Sequence, residues 1–103
     1  PSQIREVKFT GLDLRKVRLS THVDPYELNG TTTDMEYKLT IDSTEKEWTA
    51  CKPDANGNTK LYYKDSDEKI IEINSSNIDK VDKIEIRRKD NEKEIVEVPK
   101  PKS

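Results

Sequence analysis

The sequence predicts an all-β domain, a β-sandwich or small barrel of about seven to eight short antiparallel strands. Three observations carry that reading. Residues 34–41, DMEYKLTI, place Met35, Tyr37, Leu39 and Ile41 in alternation with Glu36, Lys38 and Thr40, the signature of a half-buried strand. Stretches of this kind recur at short intervals, separated by Asn, Gly, Asp and Pro clusters that favour turns. No stretch sustains the period of a long amphipathic helix.

Composition fits a thin core under a charged skin. The chain has 103 residues, enough for one domain, with 30% hydrophobic and 39% charged residues. Such a balance leans toward disorder, but alternating strands need apolar side chains at only every second position. The formal net charge is −2, with Lys and Arg dispersed along the chain; the basic stripe that phosphate-backbone binding requires is missing, which argues against a nucleic-acid partner. The single cysteine excludes an intrachain disulfide and a Cys-rich metal cage. No apolar run approaches the roughly 20 residues that span a bilayer, so membrane insertion is not expected. The first residue is Pro1 and the last stretch is VEVPKPKS, which together read as a piece of a longer polypeptide.

In chain order, IREVKFTG (4–11) sets Val7 and Phe9 on one face of a first strand. KVRLSTHV (16–23) sets Val17, Leu19, Thr21 and Val23 inward, with Arg18, Ser20 and His22 outward. DPYELNGTTT (24–33) reads as a turn, because Pro25 fixes φ and Asn29-Gly30 accepts positive φ. The DMEYKLTI strand follows, then a polar break, DSTEKE, and a strand around Trp48. As the only tryptophan, Trp48 is expected to be the large side chain packed between sheets.

KPDANGNTK (52–60) contains Asn56-Gly57, a favoured hairpin pair. KLYYK (60–64) and KIIEIN (69–74) read as two strands about the turn DSDE. Ser76 stands three residues before Asp79 in SSNIDKV (75–81), a capping-box spacing that predicts one short helical turn. KIEIRRK (83–89) and KEIVEVP (93–99) form a last hairpin through DNE. The expected domain is 1–98, with 99–103 a stiff Pro/Lys linker.

TTTDMEYKLTIDSTEKEW (31–48) and SSNIDKVDKIEIRRKDNEKEI (75–95) resemble a recurrent module of Gram-positive surface proteins. In that module a threonine-rich turn, Met-Glu-Tyr-Ser, Asp-Gly-Gly-x-x-Trp and a strand of Ile-x-Ile-Arg or Val-Arg type follow one another. The matching residues are Thr31, Thr32, Met35, Glu36, Tyr37, Trp48, Ile84, Ile86 and Arg87. DSTEKE replaces the Asp-Gly-Gly hairpin, so the turn geometry must differ. The resemblance implies an immunoglobulin-like sandwich and an extracellular setting on a surface-layer or cell-wall protein. It implies a non-catalytic spacer or lattice element without cofactor, monomeric alone, touching neighbouring modules or wall polymer. The rival readings are a carbohydrate- or host-ligand-binding module and an accessory domain of a secreted enzyme, inert alone.

Candidate chemistry is sparse. A Cys–His pair would join His22 and Cys51, which must lie within hydrogen-bond reach. Strand parity puts His22 outside and Cys51 opposite Trp48 and Ala50, also outside unless a bulge intervenes. Carboxylate pairs abound among 21 Asp and Glu, but none lies in an apolar run able to raise a pKa, and a small domain offers little cleft.

Asp54, Asn56, Asn58 and Asp65 form the weak calcium candidate, oxygen donors at alternate positions and eleven residues on. Thr59 stands where an EF-hand has its turn glycine, Asp65 where it has a bidentate Glu, and no helices flank the stretch, so a hairpin is the better reading. Asp65, Asp67 and Glu68 read as a solvated acidic turn. Of the adjacent Tyr62 and Tyr63, one must face out, and these two are the candidate ligand-binding residues of the sugar-binding reading. Asn29 and Asn74 head N-x-S/T sequons, accidental in a bacterial chain. The mixed charges of EIRRKDNEKE (85–94) read as a solvated hairpin, or as a contact to a neighbouring module.

Overall fold

The computed structural model describes residues 13–100. The proposed first strand at 4–11 and the prolyl end at 101–103 lie outside the described residues. Within them the protein is all-β: ten antiparallel strands and two single-turn 3₁₀ helices. The strands are β1 (Arg18–Leu19), β2 (Glu27–Asn29), β3 (Met35–Ile41), β4 (Thr44–Glu45) and β5 (Thr49–Ala50), then β6 (Asn58–Lys60), β7 (Tyr62–Lys64), β8 (Ile70–Glu72), β9 (Val81–Arg88) and β10 (Asn91–Val98).

The main sheet runs β10-β9-β3, and the far edge of β3 carries both β4 and β5. Two smaller sheets, β1-β2-β6 and β7-β8, complete the fold. The strand most plainly written in the sequence is thus the sheet's centre. Met35, Tyr37 and Leu39 are sealed from solvent, as are Ile84 and Ile86 on β9, and the register sets Tyr37 beside Ile86 and Leu39 beside Ile84. Leu14, Val17, Leu28, Leu61, Ile73 and Val98 close over this face. Each such side chain contributes about 1.5–3 kcal/mol by leaving water.

The inner aromatic is Tyr37, not Trp48. Tyr37 is 1% exposed, and Trp48 is half-buried on the outer face. The cause is one residue. Asp42 and Ser43, both at positive φ, make a two-residue turn that pairs Ile41 with Thr44 and Thr40 with Glu45. In that register Trp48 would meet Tyr37 on the inside. Instead β5 pairs Tyr37 with Thr49 and Glu36 with Ala50, so residues 46–48 oppose only 38 and 39. This β-bulge shifts every later side chain to the other face. Trp48 turns out, and Cys51 turns in to 2% exposure, its N–H donating to the Met35 carbonyl at 3.0 Å. The expected outward Cys51 is thereby corrected.

Other expectations change as well. The 16–23 strand shrinks to β1, and Thr21 and Val23 are exposed rather than inward. Residues 24–33 are not all turn, because Leu28 is fully buried and carries β2 between β1 and β6. The 60–64 strand is broken at buried Leu61, whose carbonyl takes the Ile73 N–H. A helical turn does form at Ile78–Lys80, but its N-cap position is Asn77 with no side-chain cap. Ser76 instead donates its N–H to Asn74 Oδ1. The final hairpin pairs β9 with β10, with a register shift between Asn91 and Val96.

Candidate functional site

Alternation gives β3 and β9 an outer face as ordered as the inner one. Glu36 opposes Arg87 and Lys38 opposes Glu85. Arg87 Nε donates to Glu36 Oε2 at 2.7 Å, both side chains less than one-fifth exposed. Lys38 Nζ reaches Glu45 at 2.6 Å and Glu85 at 3.6 Å. Its hydrogen bond to Glu45 raises the Lys38 pKa and lowers that of Glu45. The bulge delivers Trp48 to this face, where the Arg87 guanidinium lies 3.9 Å from its ring centroid and Lys38 Nζ 5.3 Å. Both distances are within cation–π range.

The bulge also opens a groove. Residues 44–49 form one wall, and the β7–β8 hairpin, from Tyr62 to Ile70, forms the other, enclosing about 520 Å³. Trp48, Tyr62 and Tyr63 line it. Tyr62 is the exposed member of the tyrosine pair and Tyr63 packs against the core, as alternation requires. Ile70, 68% exposed, sits on the rim. The Tyr62 hydroxyl donates to Glu72 at 3.1 Å, and partial burial, with that bond, raises its pKa. Lys46 stands 5.6 Å from the Tyr63 ring centroid.

A second link crosses beneath the groove. Tyr37 Oη accepts the Tyr62 N–H at 2.9 Å and donates to the Tyr62 carbonyl at 3.4 Å. One buried phenol therefore stands in for a strand neighbour on the β7 backbone, tying the two-stranded sheet to the main one. Burial pushes its pKa from 10.0 up to about 12.

Cys51 and His22 take separate settings. Burial pushes the Cys51 thiol up to about 12, against an opposing hydrogen bond from Thr59, so it is a protonated core thiol at neutral pH and a poor nucleophile. His22 is exposed in a bend.

The four calcium candidates divide between two hairpins of one design. Asp54 Oδ1 accepts the N–H groups of Asn56 and Asn58, and Asp65 Oδ1 accepts those of Asp67 and Lys69. Gly57 at φ +80° and Glu68 at φ +64° occupy the same left-handed place in each three-residue loop. The eleven-residue interval is thus the distance between two turn-capping aspartates. Among the described residues, no group of three or more His, Cys, Asp or Glu is placed to hold a metal ion, and no helix is long and apolar enough to cross a membrane.

Comparison of the chain with family models, curated proteins and solved structures finds no match.

Proposed function

We infer that this domain is a non-catalytic structural module, an immunoglobulin-like spacer or lattice element of a bacterial cell-surface protein. The observation that supports this reading is the self-sufficiency of its main outer face. Glu36, Lys38, Glu85 and Arg87 pair with one another, and Trp48 stacks against the same cations. Side chains so engaged stiffen a sheet and have little left to offer a substrate. The resemblance of 31–48 and 75–95 to surface-protein modules supplies the extracellular setting, with neighbouring modules or wall polymer as partners.

A spacer is a monomer alone, because its contacts act between covalently linked neighbours at high effective concentration. Sedimentation should give a monomer at micromolar concentration, and two copies joined in tandem should scatter X-rays as an elongated particle. A stable dimer of the single domain would count against the spacer.

The groove favours a second reading, a glycan- or host-ligand-binding module. Exposed Tyr62 and Ile70 lie beside Trp48 and Tyr63, and clustered exposed apolar side chains mark contact sites. Sub-micromolar retention of one defined glycan, lost in Tyr62→Ala or Tyr63→Ala, would make this reading the better one. An empty glycan array would leave the spacer.

A further inference from the structure

The two Asn-Gly pairs meet in one joint of the fold. The Gly57 carbonyl accepts the Gly30 N–H at 3.0 Å, the Thr31 N–H at 3.0 Å and the Thr31 hydroxyl at 2.9 Å. Asn29 Nδ2 donates to Asn58 Oδ1 at 2.8 Å across β2 and β6. Asn-Gly is the dipeptide most prone to lose ammonia, since glycine puts no side chain in the way of its own amide nitrogen. We propose that Asn56 is a site of spontaneous deamidation in the folded protein, and that the same joint keeps Asn29 intact.

The step is an intramolecular substitution. The Gly57 backbone nitrogen attacks Asn56 Cγ, a C–N bond forms, the N–H proton is lost to base, and ammonia leaves from the side-chain amide. Water then opens the five-membered succinimide at either carbonyl, leaving aspartate or isoaspartate at position 56. No redox partner is involved.

Placement separates the two sites. Asn56 is exposed at the tip of a three-residue loop, and its side-chain amide has no hydrogen-bond partner among the described residues. The Gly57 N–H does donate to the Asp54 carbonyl at 3.0 Å, but that bond closes an exposed turn, an element that opens at little cost. Asn29 is paired on both sides, with Arg18 and with Asn58. Its amide is held by Asn58, and its potential nucleophile, the Gly30 nitrogen, is held by Gly57. Cyclising Asn29 means parting β2 from β6.

The product matters to the fold. Isoaspartate inserts a methylene into the main chain next to the carbonyl that anchors Gly30 and Thr31. Reaction at 56 therefore loosens the joint that protects 29, and the lesion is an age mark on the entry to β3.

The test is prolonged incubation of the folded protein at mildly alkaline pH, with peptide mapping by mass spectrometry. Position 56 should convert, with isoaspartate among the products, while position 29 converts at least about tenfold more slowly because reaction there waits on local opening. In denaturant both should convert. The melting temperature should fall with incubation in the wild type and hold in Asn56→Ser. Equal conversion at both positions in the folded protein, or an Asn56 that survives as long as Asn29, would overturn the proposal. An Asn56→Ser protein that loses stability just as fast would refute the structural consequence.

Discussion

The Arg87 guanidinium lies 3.9 Å from the centroid of the Trp48 ring while its Nε holds Glu36 at 2.7 Å. A planar guanidinium does both at once, stacking by its face and bonding by its edge, a geometry that a point-charge ammonium at position 87 would not reproduce. Trp48 is thus a covering for a partly buried ion pair, and its energetics are those of a stacked surface ring. Trp48→Ala should cost about 1–2 kcal/mol, against about 3–5 kcal/mol for Tyr37→Ala in the core. Arg87→Lys should lose most of the coupling to Trp48 in a double-mutant cycle. Chemical denaturation of these three variants and of the Trp48→Ala/Arg87→Lys double variant measures this. Equal costs for Trp48→Ala and Tyr37→Ala would return the tryptophan to the core.

The Tyr37 hydroxyl predicts a specific loss. Tyr37→Phe keeps the ring and its packing but strands the N–H and carbonyl of Tyr62, so stability should fall by about 1–3 kcal/mol. Hydrogen exchange should accelerate at the Tyr62 amide more than at β3 amides. Unchanged exchange at Tyr62 would mean that β7 is held by its pairing with β8 alone.

The strands that pair along the main sheet were legible from alternation, whereas the equally regular alternation of 16–23 overstated β1. Residues 35–41, 83–88 and 93–98 read correctly because period two admits one inner face. Short strands read poorly: β2 has only Leu28 to announce it, and β1 keeps two of eight expected residues. Trp48 shows the physical limit. Its parity relative to Ala50 and Cys51 was right, and its face was wrong, since one extra residue in the bulge inverts the pattern without altering it locally. The pull of a large aromatic toward the core was outweighed by two cations across the sheet. Of the groove, alternation required one of Tyr62 and Tyr63 to face out without choosing between them, and Trp48 as a neighbour was hidden because the bulge sets its face. The turn aspartates were visible as oxygen donors, and their engagement with backbone N–H groups required the loop geometry.

The twin hairpins allow an internal comparison. Glycine occupies the left-handed position in the first loop, and Glu68 occupies it in the second at φ +64°. A side chain there costs roughly 1–2 kcal/mol, offset in part by the extra freedom glycine has when unfolded. Glu68→Gly should therefore stabilise by up to about 1 kcal/mol, despite losing a 3.9 Å exposed pair with Lys64 that is worth little. Asp54→Ala should destabilise by about 1–2 kcal/mol through two unpaired N–H groups. Millimolar calcium should leave the melting temperature of the wild type unchanged. A rise of several degrees, abolished in Asp54→Ala, would show that the carboxylates coordinate rather than cap.

Alkaline pH should expose the two buried acids. Tyr37 and Cys51 are each neutral in the fold, with pKa values raised from 10.0 and 9.0 to about 12. An acid whose folded pKa is raised binds its proton more tightly when folded, so its contribution is complete below the unfolded value. It is lost as pH climbs toward the folded value. Cys51 begins to draw on stability near pH 9 and Tyr37 near pH 10, each with a limiting slope of about 1.4 kcal/mol per pH unit until about pH 12. Denaturation midpoints should fall gently above pH 9 and more steeply above pH 10. Cys51→Ala should delay the onset to the tyrosine range, and Tyr37→Phe should remove the steeper limb. The native thiol should also resist a disulfide reagent until the protein unfolds, because the reactive species is the thiolate. Rapid labelling of the folded protein at neutral pH would place Cys51 on the outer face, and with it would fall the bulge that turns Trp48 outward.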